Sequence, residues 1–248
     1  MKTIYILWYR QVVKYTRSRS RIIGSLGQPL LFLVTFGFGF GAIFQRAGGG
    51  SYIQFLAPGI ILMSVLFTAL FSGVDIIWDR QFGFLKETLV APVSRFEIVL
   101  GKTLGGSTVA VIQGIIVFIL TLFLGFRPEK HLLIPLAFII MFLVAILFTS
   151  IGTSIASVLD DMQGFQLIMN FLVMPIFFLS GAFFPLTGLP TALSIVTKIN
   201  PMAYGVDALR GALVGISSFS LPLDLLVLIV LTFVFLGVGS YLFNRIQV

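Results

Sequence analysis

Six stretches of this chain carry no formal charge and are almost wholly apolar: Ile22–Phe44, Phe55–Val74, Thr103–Phe126, Leu132–Val158, Met162–Leu186 and Leu225–Asn244. Each reaches the ~20 residues that a helix rising about 1.5 Å per residue needs to cross a hydrocarbon core about 30 Å thick. Inside lipid only helices and closed barrels satisfy every backbone N–H and C=O, and these runs lack the period-two alternation of barrel strands. The sequence therefore predicts an all-α integral membrane protein with six transmembrane helices in a single domain over 1–248. Composition agrees. Of the 248 residues 58% are hydrophobic and 10% charged, where a soluble protein carries roughly a quarter charged residues. An ordinary cytosolic enzyme, a secreted disulfide scaffold and a disordered chain are excluded. With no cysteine and one histidine, no metal site is expected.

Lysine and arginine placement orients the spans. Residues 1–21 hold Lys2, Arg10, Lys14, Arg17, Arg19 and Arg21 and no acid, and the connection between spans two and three holds Arg80, Lys86, Arg95 and Lys102. Positive residues favour the cytoplasmic side, so both segments are expected there. With six spans Arg245 returns to that side, leaving Arg46, Arg127, Lys130, Lys198 and Arg210 opposite. The expectation is a multi-pass protein of the plasma (inner) membrane with both termini cytoplasmic. Its net charge of +7 is absorbed by this asymmetry, and no nucleic-acid partner is expected. Within 1–21, Arg10, Lys14, Arg17 and Arg21 recur at helical spacing, while Ile4, Trp8, Val12 and Tyr15 mark a different face. That is the pattern of an amphipathic helix at the cytoplasmic interface. For a cleaved signal peptide the basic region is too long, and no small-residue cleavage pair follows.

Catalysis finds little support. Gly101-Lys102-Thr103 resembles the end of a phosphate-binding loop, but that loop needs a glycine where Phe96 stands. His131 has no nucleophile elbow to serve, and the adjacent Asp160 and Asp161 suit helix capping better than a shared site. The chain is not expected to be catalytic by itself, and any ATP-driven work needs a partner. Polar residues within the spans are few and uncharged. Gln28, Thr149, Ser150, Thr153 and Ser154 suit helix packing, and Gln113 and Asn170 are the better candidates for facing a substrate pathway.

Two further stretches stand out. From Met162 to Thr197 no charge appears, and Pro175, Pro185 and Pro190 interrupt the run with Gly181 and Gly188 between them. This length suits one span followed by a broken hairpin, expected over 183–203, dipping back from the outer face. The inner loop 79–95 reads DRQFGFLKETLVAPVSR. Phe82, Leu85 and Leu89 alternate with Arg80, Lys86 and Glu87 as in a short amphipathic helix, which could dock in a groove of another protein or rest on lipid headgroups.

These residues resemble the permease subunit of type-2 ATP-binding-cassette exporters, most nearly the daunorubicin-resistance and nodulation-export branch. The inner loop carries Arg80, Gly83, Leu85, Glu87, Leu89, Pro92, Val93 and Ser94 in the family's order, departing at Lys86, where many relatives place an acid. The second similar stretch is FLSGAFFPLTGLP at Phe178–Pro190, followed by NPMAYGVDALRG at Asn200–Gly211. The resemblance implies an ATPase-coupling element built from Arg80, Gly83, Phe84, Leu85, Lys86, Glu87, Leu89 and Pro92. It also implies an outer exit gate near Phe183, Phe184 and Pro185. It implies a homodimer or a pair with a homologous permease, gripping two copies of an ATP-binding subunit that holds ATP and magnesium, while this chain binds no cofactor. The expected function is export of an amphiphilic substrate such as a drug, lipid or glycolipid/polysaccharide. The alternatives are a non-transporting membrane scaffold and an ATP-independent flippase or channel.

Overall fold

The computed structural model of the chain describes residues 2–46, 51–186 and 188–246. Among these it is all-helical, with no strand. The order is α1 (Lys2–Arg17), α2 (Arg19–Gly39), α3 (Gly41–Arg46), α4 (Tyr52–Phe71), α5 (Val74–Gln81), α6 (Phe84–Val90) and α7 (Arg95–Phe123). There follow α8 (Ile134–Val158), entered through a 3₁₀ turn at His131–Leu133, then α9 (Met162–Phe178), α10 (Thr191–Ile199), α11 (Pro201–Leu213) and α12 (Leu221–Asn244).

Among the described residues five elements are long and apolar enough to cross a bilayer: α2, α4 running on into α5, α7, α8 with its leading turn, and α12. Together they make this a multi-pass membrane protein. The predicted fifth crossing, Met162–Leu186, differs, because α9 stops at Phe178 after 17 residues, a rise of about 25 Å. Pro175 supplies no N–H to the carbonyl one turn back, the helix survives it by less than a turn, and Gly181 at φ 75° then turns the chain. The outer hairpin expected over 183–203 is made of α10 and α11 and runs on to Leu213; Thr187 within it lies outside the described residues. The third crossing begins at Arg95 rather than Thr103. Ser94 caps it, its hydroxyl accepting from the N–H of Glu97 at 3.1 Å, in the Ser-x-x-Glu spacing of a capping box.

The helix α4 is innermost, with every residue from Leu56 to Leu66 buried, packed among α7, α8, α2 and α11. α1 does not stand apart as a surface helix: it packs along the first half of α7 and buries Leu7, Gln11 and Tyr15. We call the end carrying α5 and α6 basal and the end carrying α10 and α11 apical.

Helices in lipid gain little from the hydrophobic effect and associate through close van der Waals contact, which small residues permit. The tightest approach lies where α4 gives way to α5 against α8. A Cβ on Gly152 would stand 2.3 Å from the Leu70 carbonyl oxygen, and one on Gly73 would stand 2.4 Å from that of Gly152. Backbone cannot step aside as a side-chain tip can, and overpacking typically costs about 1–3 kcal/mol. Gly152→Ala should therefore lower the thermal unfolding midpoint of the detergent-solubilised protein. Gly24→Ala and Gly237→Ala, which meet open space, should leave it within experimental error.

Candidate functional site

The basal end is organised by a carboxylate. Asp79, in the last turn of α5, is 5% exposed and accepts two bonds from the Arg10 guanidinium of α1, at 2.7 and 3.0 Å. The Lys102 ammonium of α7 donates to the same carboxylate at 2.6 Å and is itself buried. One turn earlier on α5, Asp75 accepts from Lys14 of α1 at 2.5 Å. Arg10 and Lys14 are four residues apart on α1, as Asp75 and Asp79 are on α5, so the two helices meet as a two-rung ladder. Hydrogen bonding to Asp79 raises the pKa of Arg10 further above its ordinary value. Two buried charges add little net stability over an apolar pair, but one left without its partner is costly. The cluster therefore fixes register.

The Gly101-Lys102-Thr103 sequence is accounted for by this packing. Lys102 is committed to Asp79, and a Cβ on Gly101 or Gly105 would stand 2.9 or 2.7 Å from the Cβ of Leu7 or Gln11 on α1. Trp8 closes the seam, donating from its indole to the Thr108 hydroxyl at 2.9 Å. A second arginine ties α5 to the end of α8. Arg80 donates to the carbonyls of Ser157 at 3.1 Å and Leu159 at 3.2 Å, and pairs with the Asp160 carboxylate. Those carbonyls have no acceptor role left within α8, and a cation suits the negative end of a helix. Asp161 caps the next helix, accepting from the Gly164 N–H at 2.5 Å.

The predicted coupling residues hang from this base. Gly83, at φ 80°, reverses the chain between α5 and α6 in a conformation costly for other residues. Phe84 lies under the Arg10 guanidinium, 3.8 Å from ring centroid to Cζ. Leu85 is fully buried and Leu89 packs on the core. Lys86, Glu87 and Pro92 face outward. Phe82, expected on the apolar side with Leu85 and Leu89, is instead 83% exposed, and Val90 is 86% exposed. α6 is thus anchored through Leu85 and Leu89 and exposes Lys86, Glu87 and Val90, with Phe82 exposed just ahead of it.

The apical motif is equally specific. Asn200 ends α10 and caps α11: its amide donates to the Ile176 carbonyl at 2.6 Å and its side-chain oxygen accepts from the Met202 N–H at 3.0 Å. Asp207 accepts from the N–H groups of Ser218 and Phe219, holding the turn into α12. Arg210 is buried, donates to the carbonyls of Gly181 at 2.9 Å and Phe55 at 3.2 Å, and stacks on the Phe55 ring. Of the predicted gate residues, Phe183 sits among Phe32 and Phe36 of α2 and Phe177 and Phe178 of α9, with centroids 5.0–5.7 Å apart. Phe184 is half-buried and Pro185 exposed beside it.

The two predicted pathway residues are not brought together. Gln113 is buried and accepts from the Tyr15 hydroxyl of α1, whose pKa is raised by burial, so the phenol stays a donor. Asn170 lies on the outward face of α9 beside Phe171, which is 82% exposed. Asp75, Asp79 and the ladder they form belong to no sequence motif. The available signal was a pair of acids one turn apart in an apolar run, matched by Arg10 and Lys14 at the same spacing.

Residues 2–214 match the model of a family described as ABC-2 type transporter. The chain is 30% identical to a protein named transport permease ycf38 of Cyanophora paradoxa, covering 99% of this chain and 89% of that one. It is 27% identical to the Nodulation protein J of Rhizobium leguminosarum bv. trifolii, covering 84% of this chain and 80% of the relative. The inner membrane transport permease YadH of Escherichia coli K12 is 27% identical over 90% and 88% of the two chains. With a family match that spans most of its length, over an all-helical membrane bundle, the chain belongs to the ABC-2 type transporter family.

Proposed function

We propose that this chain is the transmembrane subunit of an ATP-driven exporter, moving an amphiphilic substrate outward by alternating access while a separate ATP-binding subunit hydrolyses ATP. Two copies of the chain form the pathway and each docks one ATP-binding subunit, which carries the ATP and magnesium. The basal end faces the cytoplasm with both termini. The observation that carries this reading is the exposed surface around α6, where Phe82 just ahead of the helix and Val90 at its end stand free on either side of Lys86 and Glu87. Apolar side chains so exposed at a polar boundary suit insertion in a partner's groove.

The same geometry supplies a transmission route. A push on α6 moves Phe84 and Leu85 and thereby Arg10, Asp79 and Lys102, which belong to three different helices. A partner must bias two conformations by several kcal/mol to switch a population, and a stiffly tied helix passes such a bias on. At the far end Phe183, Phe184 and Pro185 form the outer seal, with Arg210 holding the hairpin behind them. Gln113 acts through Tyr15, and Asn170 faces the second copy.

Two outcomes follow from this reading. Purification of the tagged chain from its host in mild detergent should bring with it an ATP-binding-cassette protein that turns over Mg-ATP. Phe82→Asp with Val90→Asp should reduce its recovery at least tenfold, since buried interface anchors are each worth about 2 kcal/mol or more. Undiminished recovery, with the permease still eluting as a dimer, sinks the docking face. Asp79→Ala strands the buried Lys102 ammonium and should cost about 3–5 kcal/mol in thermal or denaturant unfolding. The double variant Asp79→Ala/Lys102→Met, which removes the buried cation too, should recover part of that loss without restoring substrate-stimulated ATP turnover.

A further inference from the structure

The cations of the basal end described above are matched by acids: Arg10 and Lys102 by Asp79, Lys14 by Asp75 and Arg80 by Asp160. Arg21, in the first turn of α2, has no acid partner among the described residues. It stands at the rim of a lateral cleft of about 210 Å³ between α2 and α4. At Arg21 and Phe71 this cleft opens into a wider recess of about 580 Å³ that reaches Lys14, Trp78 and Gln166. No acidic side chain lines either part.

The lining is ordered by depth. Along α2, Arg21, Ser25 and Gln28 fall on one face, and Ser64 and Thr68 of α4 lie across from them. The Ser25 and Ser64 hydroxyls donate to carbonyls of their own helices, at 2.9 and 2.7 Å. The donors left for a ligand are the Arg21 guanidinium, the Gln28 carboxamide two turns deeper and, across from them on α4, the Thr68 hydroxyl. The floor is apolar, formed by Pro29, Met63, Phe67 and Phe71. A small free ion has no use for that floor, and a cationic amphiphile would meet Arg21 with nothing to offset the repulsion.

We propose that this cleft is a loading site for an amphiphile with an anionic headgroup, a phosphate or carboxylate, entering sideways from the membrane. Arg21 takes the headgroup through charge-assisted, fork-shaped hydrogen bonds. Gln28 bonds a carbonyl or hydroxyl of the linker below it, and the chain lies over Met63, Phe67 and Phe71. The site lies against Tyr15 at the end of α1, so its occupancy bears on the helix that the basal cluster holds. Its role in transport rests on the export reading above, but the binding itself does not.

The test uses the full chain in phosphatidylcholine vesicles, with Trp8→Phe leaving Trp78, on the wall of the recess, as the sole tryptophan. Energy transfer from Trp78 to pyrene-labelled phosphatidic acid should reach half-saturation at a mole fraction at least tenfold below that for pyrene-labelled phosphatidylcholine. Arg21→Ala should erase the difference and Arg21→Lys should keep part of it. Arg19→Ala, an exposed cation on the same turn but outside the cleft, should change nothing. Equal transfer from the two lipids, an Arg21→Ala variant that still discriminates, or an equal loss with Arg19→Ala would each overturn the proposal. Displacement of the labelled lipid by millimolar inorganic phosphate would reduce the site to an anion pocket and overturn it too. Capture of the ATP-binding subunit by the Arg21→Ala protein reports that it is folded. Failure of the parent chain to capture one sinks the export reading while leaving the lipid result standing.

Discussion

A carboxylate inside an apolar bundle is tolerated only when cations complete it, and Asp79 is completed from two directions, by Arg10 of α1 and by Lys102 of α7. The consequence is geometric more than energetic. Because the buried Asp79 and Lys102 would each be a stranded charge without the other, and Arg10 holds the same carboxylate, the three helices can slide past one another only by breaking the set. Asp75 with Lys14 adds a second rung, and Arg80 extends the tie to the end of α8. The short helix α6 hangs from this frame through Phe84 and Leu85. The result is a stiff base carrying one protruding element, the arrangement that a membrane subunit driven from outside needs.

Small residues make the frame possible. The ladder requires α1 to lie closely enough on α7 for Arg10 to reach Asp79, and Gly101 and Gly105 remove the side chains that would hold α1 away. Above them Gly73 and Gly152 bring α4 and α8 into backbone contact. In lipid such proximity is itself the attraction, since apolar side chains gain nothing by leaving one hydrocarbon surface for another. At the apical end polar bonds take over: Asn200, Asp207 and Arg210 satisfy the loose carbonyls and N–H groups that a broken helical hairpin leaves behind.

Most of the crossings were legible because lipid leaves few options. Charge-free runs near the required length matched α2, α4, α8 and α12 to within a few residues. The start of α7 was misplaced because a capping box at Ser94 and Glu97 outweighs the charges of Arg95, Glu97 and Lys102 that seemed to exclude them from a span. The length of α9 was overestimated because hydropathy cannot see where Pro175 and Gly181 end a helix. Leu85 and Leu89, expected with Phe82 on an apolar face offered to another protein, pack into the core of this chain instead, and only Phe82 stays exposed, because its position just before the left-handed Gly83 takes it off the helical period. Gln113 was singled out as polar and proves to be bonded to Tyr15, a partner nearly a hundred residues away that spacing alone cannot supply.

By itself the sequence determined that this chain is helical, that it crosses a membrane repeatedly and that a short amphipathic segment follows its second crossing. Each of those follows from local length, charge and periodicity, which a bilayer turns into near-certain structure. The tertiary structure alone decided which charges meet. Arg10, Lys14, Asp75, Asp79 and Lys102 are five scattered charges in the sequence and one cluster in the fold, because helix packing brings together residues whose separation along the chain carries no trace of their contact. It decided equally that Arg21 faces a cleft with no acid partner among the described residues, which no run of residues can record.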